Sequence, residues 1–349
     1  MTLPLGQVGA TAPNMLERTS LTDIVKYWHN QYLSQFPLIS LFDEMIVDSE
    51  QVMWNTVYEL LKVGDLRIGP EAGSRLDLNL VKNQIVRVFY QAYTFDLDTN
   101  QSILIQQPGQ PFASGSAAND ALVALNNSLA QRMRVYMRTL HQVCVSILST
   151  TAATVTVKGV TANLNFGVET KTAAASWGTG STDILTELDG WLRDFKKENE
   201  GMAANVVIVN DSFHSDYIIG NTELRATFAP YQQAGFMRGI LKPLFTVSEE
   251  ETPLRIIKVS DMIDPVGNGD FSDFTDVWPT ERMTLLRIEP GEQNLQLLSA
   301  RTLDNANQGG IASYSWESKN PVQVEVTVCG NHVPVIKKPG RVKIHDLVP

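Results

Sequence analysis

Residues able to do chemistry are thinly spread along this chain. The densest set is NDSFHSD at 210–216, where Ser212, His214 and Asp216 crowd behind an apolar run. A serine, a histidine and a carboxylate are the parts of a nucleophile, its base and the group that orients the base. Their spacing argues against that use. Residues two apart at a helix start point in different directions, and Asp211 or Ser212 is a natural N-cap. None of the five histidines, His29, His141, His214, His332 and His345, sits in a GxSxG or Cys-His signature. Catalysis is therefore not expected at this cluster.

Metal and nucleotide chemistry find equally little support. DPVGNGDFSDFTD at 264–276 carries Asp264, Asn268, Asp270, Asp273 and Asp276, but its spacing misses the calcium loop and its terminal Glu, which favours an acidic surface loop. Cys329 and His332 form a lone pair, too few for zinc. Gly178-Thr179-Gly180 precedes a helix yet lacks both the Walker lysine and a GxGxxG spacing, so it reads as a flexible linker. Cys144 falls in an apolar helical pattern, far from Cys329 and without a CxxC, and is expected to be a buried thiol. No cofactor is expected. Arg132, Arg134 and Arg138 lie on one helix, form no aromatic-and-base platform for nucleic acid, and read as its solvated or partner-facing side.

Composition narrows the class further. In 349 residues, 43% are apolar and only 19% are charged. A chain this long with so few charges must hide much of its area or share it with partners. A net charge of -10 argues against tight binding of naked duplex, which depends on clustered Lys and Arg displacing counterions. No window approaches the ~20 apolar residues of a membrane helix, and the N-terminus shows no secretory pattern, so a cytosolic product is expected.

The elements that remain are long. GDLRIGPEAGSRLDLNL at 64–80 alternates Leu66 and Ile68 with charged residues, turns at Pro70 and Gly73, then alternates Leu76, Leu78 and Leu80 with polar ones: a hairpin. Residues 81–98 continue as a strand. A two-stranded ribbon is marginal in water unless something covers its apolar face. After a turn-rich stretch at 107–116, Leu122, Leu125, Leu129, Met133, Tyr136, Leu140, Val143 and Ile147 recur at helical spacing through Thr150. Capped by Ser116 or Asn119, that helix would run roughly 45 to 50 Å. Residues 1–19 suit an extended arm, and a short helix capped by Ser20 or Thr22 follows through Ile24, Val25, Trp28 and Tyr32. The apolar run at 38–48 leads toward the ribbon. Residues 153–166 read as strand and turn. Helix 184–195, strand 205–210 and a second helix from Asp211 make an α/β layer, to which 255–263 and 283–289 offer further strands. Val322, Val324, Val326 and Val328 mark a half-buried antiparallel strand, and 341–347 a closing one.

This order of elements resembles the major capsid proteins of tailed bacteriophages, in particular the lambda-like capsid protein E branch with the Hong Kong 97-type fold. FPLISLFDE, GDLRIGPEAGSRLDLNLVK, WLRDFKKENEGMAANVVIVNDSFHSDYII, DVWPTERMTLLRI and NPVQVEVTVCGNHVPVIKKPGRVKI carry the likeness. The resemblance implies an α+β chain with an N-terminal arm at 1–48 and an extended loop at 49–98 that reaches across a neighbouring subunit. It implies a peripheral domain at 99–180 and 311–349 around the spine helix at 117–150, and an axial domain at 181–310. It further implies hexamers and pentamers closing into an icosahedral shell around double-stranded DNA, assembled in the host cytoplasm with portal, scaffold and possibly decoration proteins. The glycine-rich joints at 107–116 and 176–180 would be hinges for expansion. The family's Lys-to-Asn crosslink is not expected, although Lys62 or Lys82 facing Asn320 or Asn331 can be imagined.

Physics is compatible with that reading. The ribbon would find its cover on another copy of the chain, and several weak contacts per subunit would hold a shell. An acidic chain would leave enclosed DNA mobile. Two alternatives stand beside it: an encapsulin-like nanocompartment shell, and an α/β enzyme centred on 181–290.

Overall fold

The computed structural model describes residues 18–49, 51–59, 79–97, 116–157, 160–180, 182–219, 221–224, 254–260, 262–263, 275–289, 291–301, 310–319 and 322–349. In chain order the elements are α1 (Arg18–Tyr32), β1 (Asp43–Val47), β2 (Gln51–Glu59), β3 (Asn79–Arg87), β4 (Phe89–Leu97) and the spine helix α2 (Ser116–Ser149). Then come β5 (Ala153–Val157), β6 (Val160–Leu164), β7 (Glu169–Thr172), α3 (Ile184–Glu198), β8 (Val206–Asn210), β9 (Arg255–Val259), β10 (Met262–Ile263) and β11 (Thr275–Asp276). The chain closes with β12 (Arg282–Leu286), β13 (Leu295–Ala300), β14 (Ile311–Lys319), β15 (Val322–Ile336) and β16 (Val342–Asp346).

Two five-stranded sheets organise these pieces. The first joins β1, β13, β15 and β14, with β4 also paired to β15; the second runs β7-β16-β12-β8-β9. Sheet membership cuts across the division at residue 310. Strand β16 belongs to the sheet of β8 and β9, and β13 to the sheet of β14 and β15. The segment 38–48 is no simple lead-in to the ribbon either, because β1 pairs in parallel with β13. The strand expected over 81–98 divides at Val88: β3 pairs with β2, and β4 with β15. Met262–Ile263 leaves the second sheet to pair with Thr275–Asp276.

The spine helix lies against the first sheet and ends on the second. Leu122, Leu125, Leu129, Met133, Tyr136, Leu140, Val143 and Ile147 are all buried in one core, shared with Val326 and Val328 of β15 and Ile208 of β8. Cys144 is buried with them as a free thiol, and burial pushes its pKa up. The last helical carbonyls would be left without donors. Instead Thr284 donates from Oγ1 to Leu148 O at 2.8 Å and Arg282 from Nη1 to Ser149 O at 2.7 Å, both from β12. Helix α1 begins at Arg18, earlier than its expected caps. Thr22 serves the sheet instead, accepting from Ser313 N and donating to Ser313 O, each at 3.2 Å.

The second sheet is buried on both faces, as continuous Val/Ile runs require. Val206 and Ile208 point to the spine-helix core, whereas Val207 and Val209 join Trp177, Trp191, Phe195 and Leu285 under α3. Asp183 caps α3, its Oδ1 accepting from Thr186 N at 3.1 Å. Gly178–Gly180 is tied down, not a free linker: Trp177 N donates to Leu347 O at 2.9 Å and Thr222 N to Gly180 O at 2.6 Å. At the edge of this layer Lys343, 5% exposed, reaches Glu169 at 2.5 Å and Glu198 at 2.6 Å. Burial alone would raise Glu198, but Lys343 and Lys171 outweigh it and hold it below the usual carboxylate range. His345 stacks on Trp191 at 4.2 Å, and neither ring nitrogen meets a hydrogen-bond partner among the described residues. Burial, reinforced by the charges of Lys171 and Lys343 and opposed by Asp194, lowers its pKa to about 3.

Two predictions follow from this packing. A Cβ added at Gly330 would lie 2.8 Å from Cζ of buried Tyr136, so Gly330→Ala should destabilise the fold by about 1–3 kcal/mol, read as a lower urea midpoint. Because His345 titrates near 3 when folded and 6.5 when unfolded, the unfolded chain binds the extra proton between those values. Stability should therefore fall as pH drops from about 6.5 toward 3, and His345→Gln should flatten the fall in Tm across that window.

Candidate assembly interface

The ribbon of β2 and β3 has two unlike faces, set by the alternation of side chains along a strand. Val52 sits opposite Val86, Trp54 opposite Gln84 and Thr56 opposite Lys82. Trp54, Thr56 and Val86 are buried against the chain's own body. Trp54 Nε1 donates to Ile336 O at 2.9 Å and Val57 N to Lys337 O at 2.8 Å, rooting the ribbon beside the end of β15. On the other face Met53 opposes Ile85 and Val57 opposes Val81. Met53 is 69% exposed, Ile85 73% and Val81 51%, an apolar stripe open to water and interrupted by the exposed Asn55–Asn83 pair. The ribbon root thus finds half of its cover within its own subunit and lacks the other half.

A second open surface is the face of the first sheet turned away from the spine helix. Directly paired residues share a face. Tyr90 of β4 opposes Asn331, and Tyr314 and Trp316 of β14 oppose Thr327 and Glu325, so all three aromatics project from one side of β15. Tyr90 and Tyr314 bring their hydroxyls to 3.3 Å, and the rings of Tyr314 and Trp316 stand 5.4 Å apart. Tyr90 and Trp316 are each about two-fifths exposed. Sequence reasoning passed over these residues and over Met53 and Ile85. The available signal was the same alternation that marks the hairpin, since Tyr314 and Trp316 are two apart.

Of the residues expected at the interface, Leu66, Ile68, Pro70, Gly73, Leu76 and Leu78 lie outside the described residues, and Leu80 stands in β3 opposite Tyr58. Lys62 and Asn320 are outside them too; Lys82 lies on the ribbon and Asn331 is buried in β15. The stretch 107–115 also falls outside, as do Asp264, Asn268, Asp270 and Asp273, while Asp276 pairs in β11.

In the cluster after β8 the described side chains include those of Ser212, Ser215 and Asp216, and that of His214 lies outside the described ones. Ser212 donates from Oγ to Asp216 Oδ2 at 2.5 Å, Ser215 Oγ reaches Asp216 Oδ1 at 3.1 Å, and Asn210 Oδ1 accepts from Ser212 N at 2.8 Å. The turn is thus capped by Asn210 in place of Asp211 or Ser212, and it continues as one π-helical stretch, His214–Ile219. Cys329 and His332 are three apart on a strand and so face opposite ways. His332 Nδ1 hydrogen-bonds the Tyr136 hydroxyl, and its Nε2 lies 3.7 Å from Glu44 Oε1. That contact, aided by the charge of His29, holds Glu44 below its ordinary pKa against the opposing effect of burial. Among the described residues no group of three metal-ligating side chains is close enough to hold an ion, and no helix is long and apolar enough to cross a membrane.

Solved structures share this architecture end to end. A phage-related protein of Bordetella bronchiseptica superposes with a TM-score of 0.57 at 14% identity, covering 94% of this chain and 98% of that one. A putative capsid protein of an Escherichia coli prophage gives 0.53 at 11%, covering 94% and 99%. The capsid asymmetric unit of cyanophage A-1(L) gives 0.55 at 12%, covering 99% and 98%. The fold is therefore the Hong Kong 97-type fold of phage capsid proteins, in the α+β class. No protein-family profile matches the chain. The chain is also 29% identical over 114 residues to the glutamate–tRNA ligase of Clostridium perfringens, a match taking in 28% of this chain and only 20% of that enzyme's length.

Proposed function

We propose that this chain is a major capsid protein, which assembles as hexamers and pentamers into an icosahedral shell enclosing phage double-stranded DNA. The observation that carries the reading is that a fold shared with phage capsid structures over nearly the whole chain leaves an interrupted apolar stripe, Met53 and Ile85 with Val81 beyond the Asn55–Asn83 pair, uncovered on its ribbon. Such a stripe is what a subunit needs when its partner is another subunit. The role is structural, with no chemistry assigned to Ser212 or Asp216.

Within the shell, residues 1–48 act as the arm and 49–98 as the extended loop, whose open face seats on a neighbouring subunit. The first sheet and the spine helix form the peripheral part; the second sheet and α3 form the axial part near the capsomer's symmetry axis. Portal, scaffold and decoration proteins complete the particle, which is built in the host cytoplasm. The ribbon's open stripe and the aromatic face of the first sheet are different surfaces of one chain. A contact between them is heterologous, the kind that closes into rings.

Negative-stain microscopy of the expressed chain should show closed shells, tubes or capsomer rings. Met53→Glu with Ile85→Glu should abolish them while leaving a folded subunit with the parent's circular dichroism, because both side chains already face water. A compact monomer at high concentration from the unaltered chain, or normal shells from the double variant, would overturn the proposal.

A further inference from the structure

A cleft of about 310 Å3 opens where the loop after α1, the middle of the spine helix and the end of β9 meet. Arg134, Arg138 and His141 enter it from one face of the helix, Lys258 and Ser260 from β9 and the residue beyond it, and Ser34 from the loop. Among the described residues no carboxylate lines it. In a chain of net charge -10 this is a local inversion of sign, gathered from segments about a hundred residues or more apart. We infer that this cleft binds the phosphodiester backbone of nucleic acid.

Three features point to a phosphate ligand. Guanidinium forks match phosphate oxygens two at a time, and Arg134 and Arg138 are one helical turn apart, with Cβ atoms separated by about 5–6 Å. Lys258 adds a point charge from the opposite wall. Its Nζ is 3.9 Å from Asp211 Oδ1, but the two side chains are 42% and 60% exposed, so solvent screens that pairing and leaves the lysine able to turn to a ligand. The lining is mostly polar, whereas an acidic peptide would need apolar seats for its other side chains. Cations strung along the helix and across to β9 suit a linear polyanion better than one free phosphate ion. The inference extends the shell reading to the shell's contents, yet it stands on the charge and shape of this cleft. It also refines the expectation from net charge: binding is weak and local, not absent.

The test uses the full chain before assembly and a labelled duplex of about 25 base pairs, followed by fluorescence anisotropy between 50 and 200 mM salt. Three phosphate contacts give a log–log salt slope of about -2.7, so binding should weaken about 40-fold over that range. Arg134→Gln with Lys258→Gln, both at exposed positions, should reduce the slope by about 2. Arg193→Gln with Lys197→Gln, which removes the same charge from α3, should leave it unchanged. Equal losses in both variants, no loss in the cleft variant, or no binding by the parent would overturn the inference. So would saturation of the cleft by millimolar inorganic phosphate without any duplex binding. Circular dichroism melts confirm that each variant folds. Shell formation is scored separately by microscopy, so a lost salt slope with intact shells, or the reverse, tells the two proposals apart.

Discussion

The last turn of the spine helix makes one body of two sheets. A helix end leaves carbonyls without internal donors, and burying them unpaired would cost more than the packing around them returns. Here Leu148 and Ser149 hand their carbonyls to Thr284 and Arg282, side chains of a strand in the second sheet, while the same helix spends its middle turns on the first. Arg282 Nε also meets Asp346 at 2.8 Å, so the strand that caps the helix is bound in turn to the chain's last strand. Everything else hangs from this joint: α1 and β15 on one flank, α3 and the aromatic core of Trp177 and Trp191 on the other.

That rigidity explains why the chain leaves apolar surface unburied elsewhere. The spine helix covers one face of the first sheet and the second sheet is buried on both, and Met53, Ile85 and Trp316 stand outside these cores. In the shell proposed above, association with other copies would cover them. The charged groups follow a different rule. Lys343 is held nearly dry between Glu169 and Glu198, an arrangement that breaks badly if one partner is lost and that fixes how β16 seats against α3.

The sequence was most legible where burial is periodic along one element. The spacing of Leu122 through Ile147 places the spine helix and its inward face, and α3 follows from Ile184, Leu188, Trp191 and Phe195 by the same rule. Periodicity says which face is hidden but not what hides it. Hence the partners of β16, read only as a closing strand, prove to be β12 and β7, and Thr22, read as a cap, binds a strand almost three hundred residues away. The division of a single extended run at Val88 is invisible for the same reason, since both halves have strand composition. The basic cleft and the aromatic face were hidden more deeply. Each is assembled from segments that only tertiary structure brings together: Tyr90 meets Tyr314 from a distant strand, and Lys258 faces Arg134, Arg138 and His141 from across the cleft.

Val88 itself has a mechanical meaning. It is buried, and it is the single residue between β3, which belongs to the protruding ribbon, and β4, which is laced into the first sheet along nine residue pairs with β15. Tyr93 of β4 in turn grips the spine helix through a 2.9 Å hydrogen bond to Thr139. Load placed on the ribbon therefore enters the body by two routes, through Val88 into β4 and the spine helix like torque through a short axle, and through Trp54 and Val57 into the end of β15.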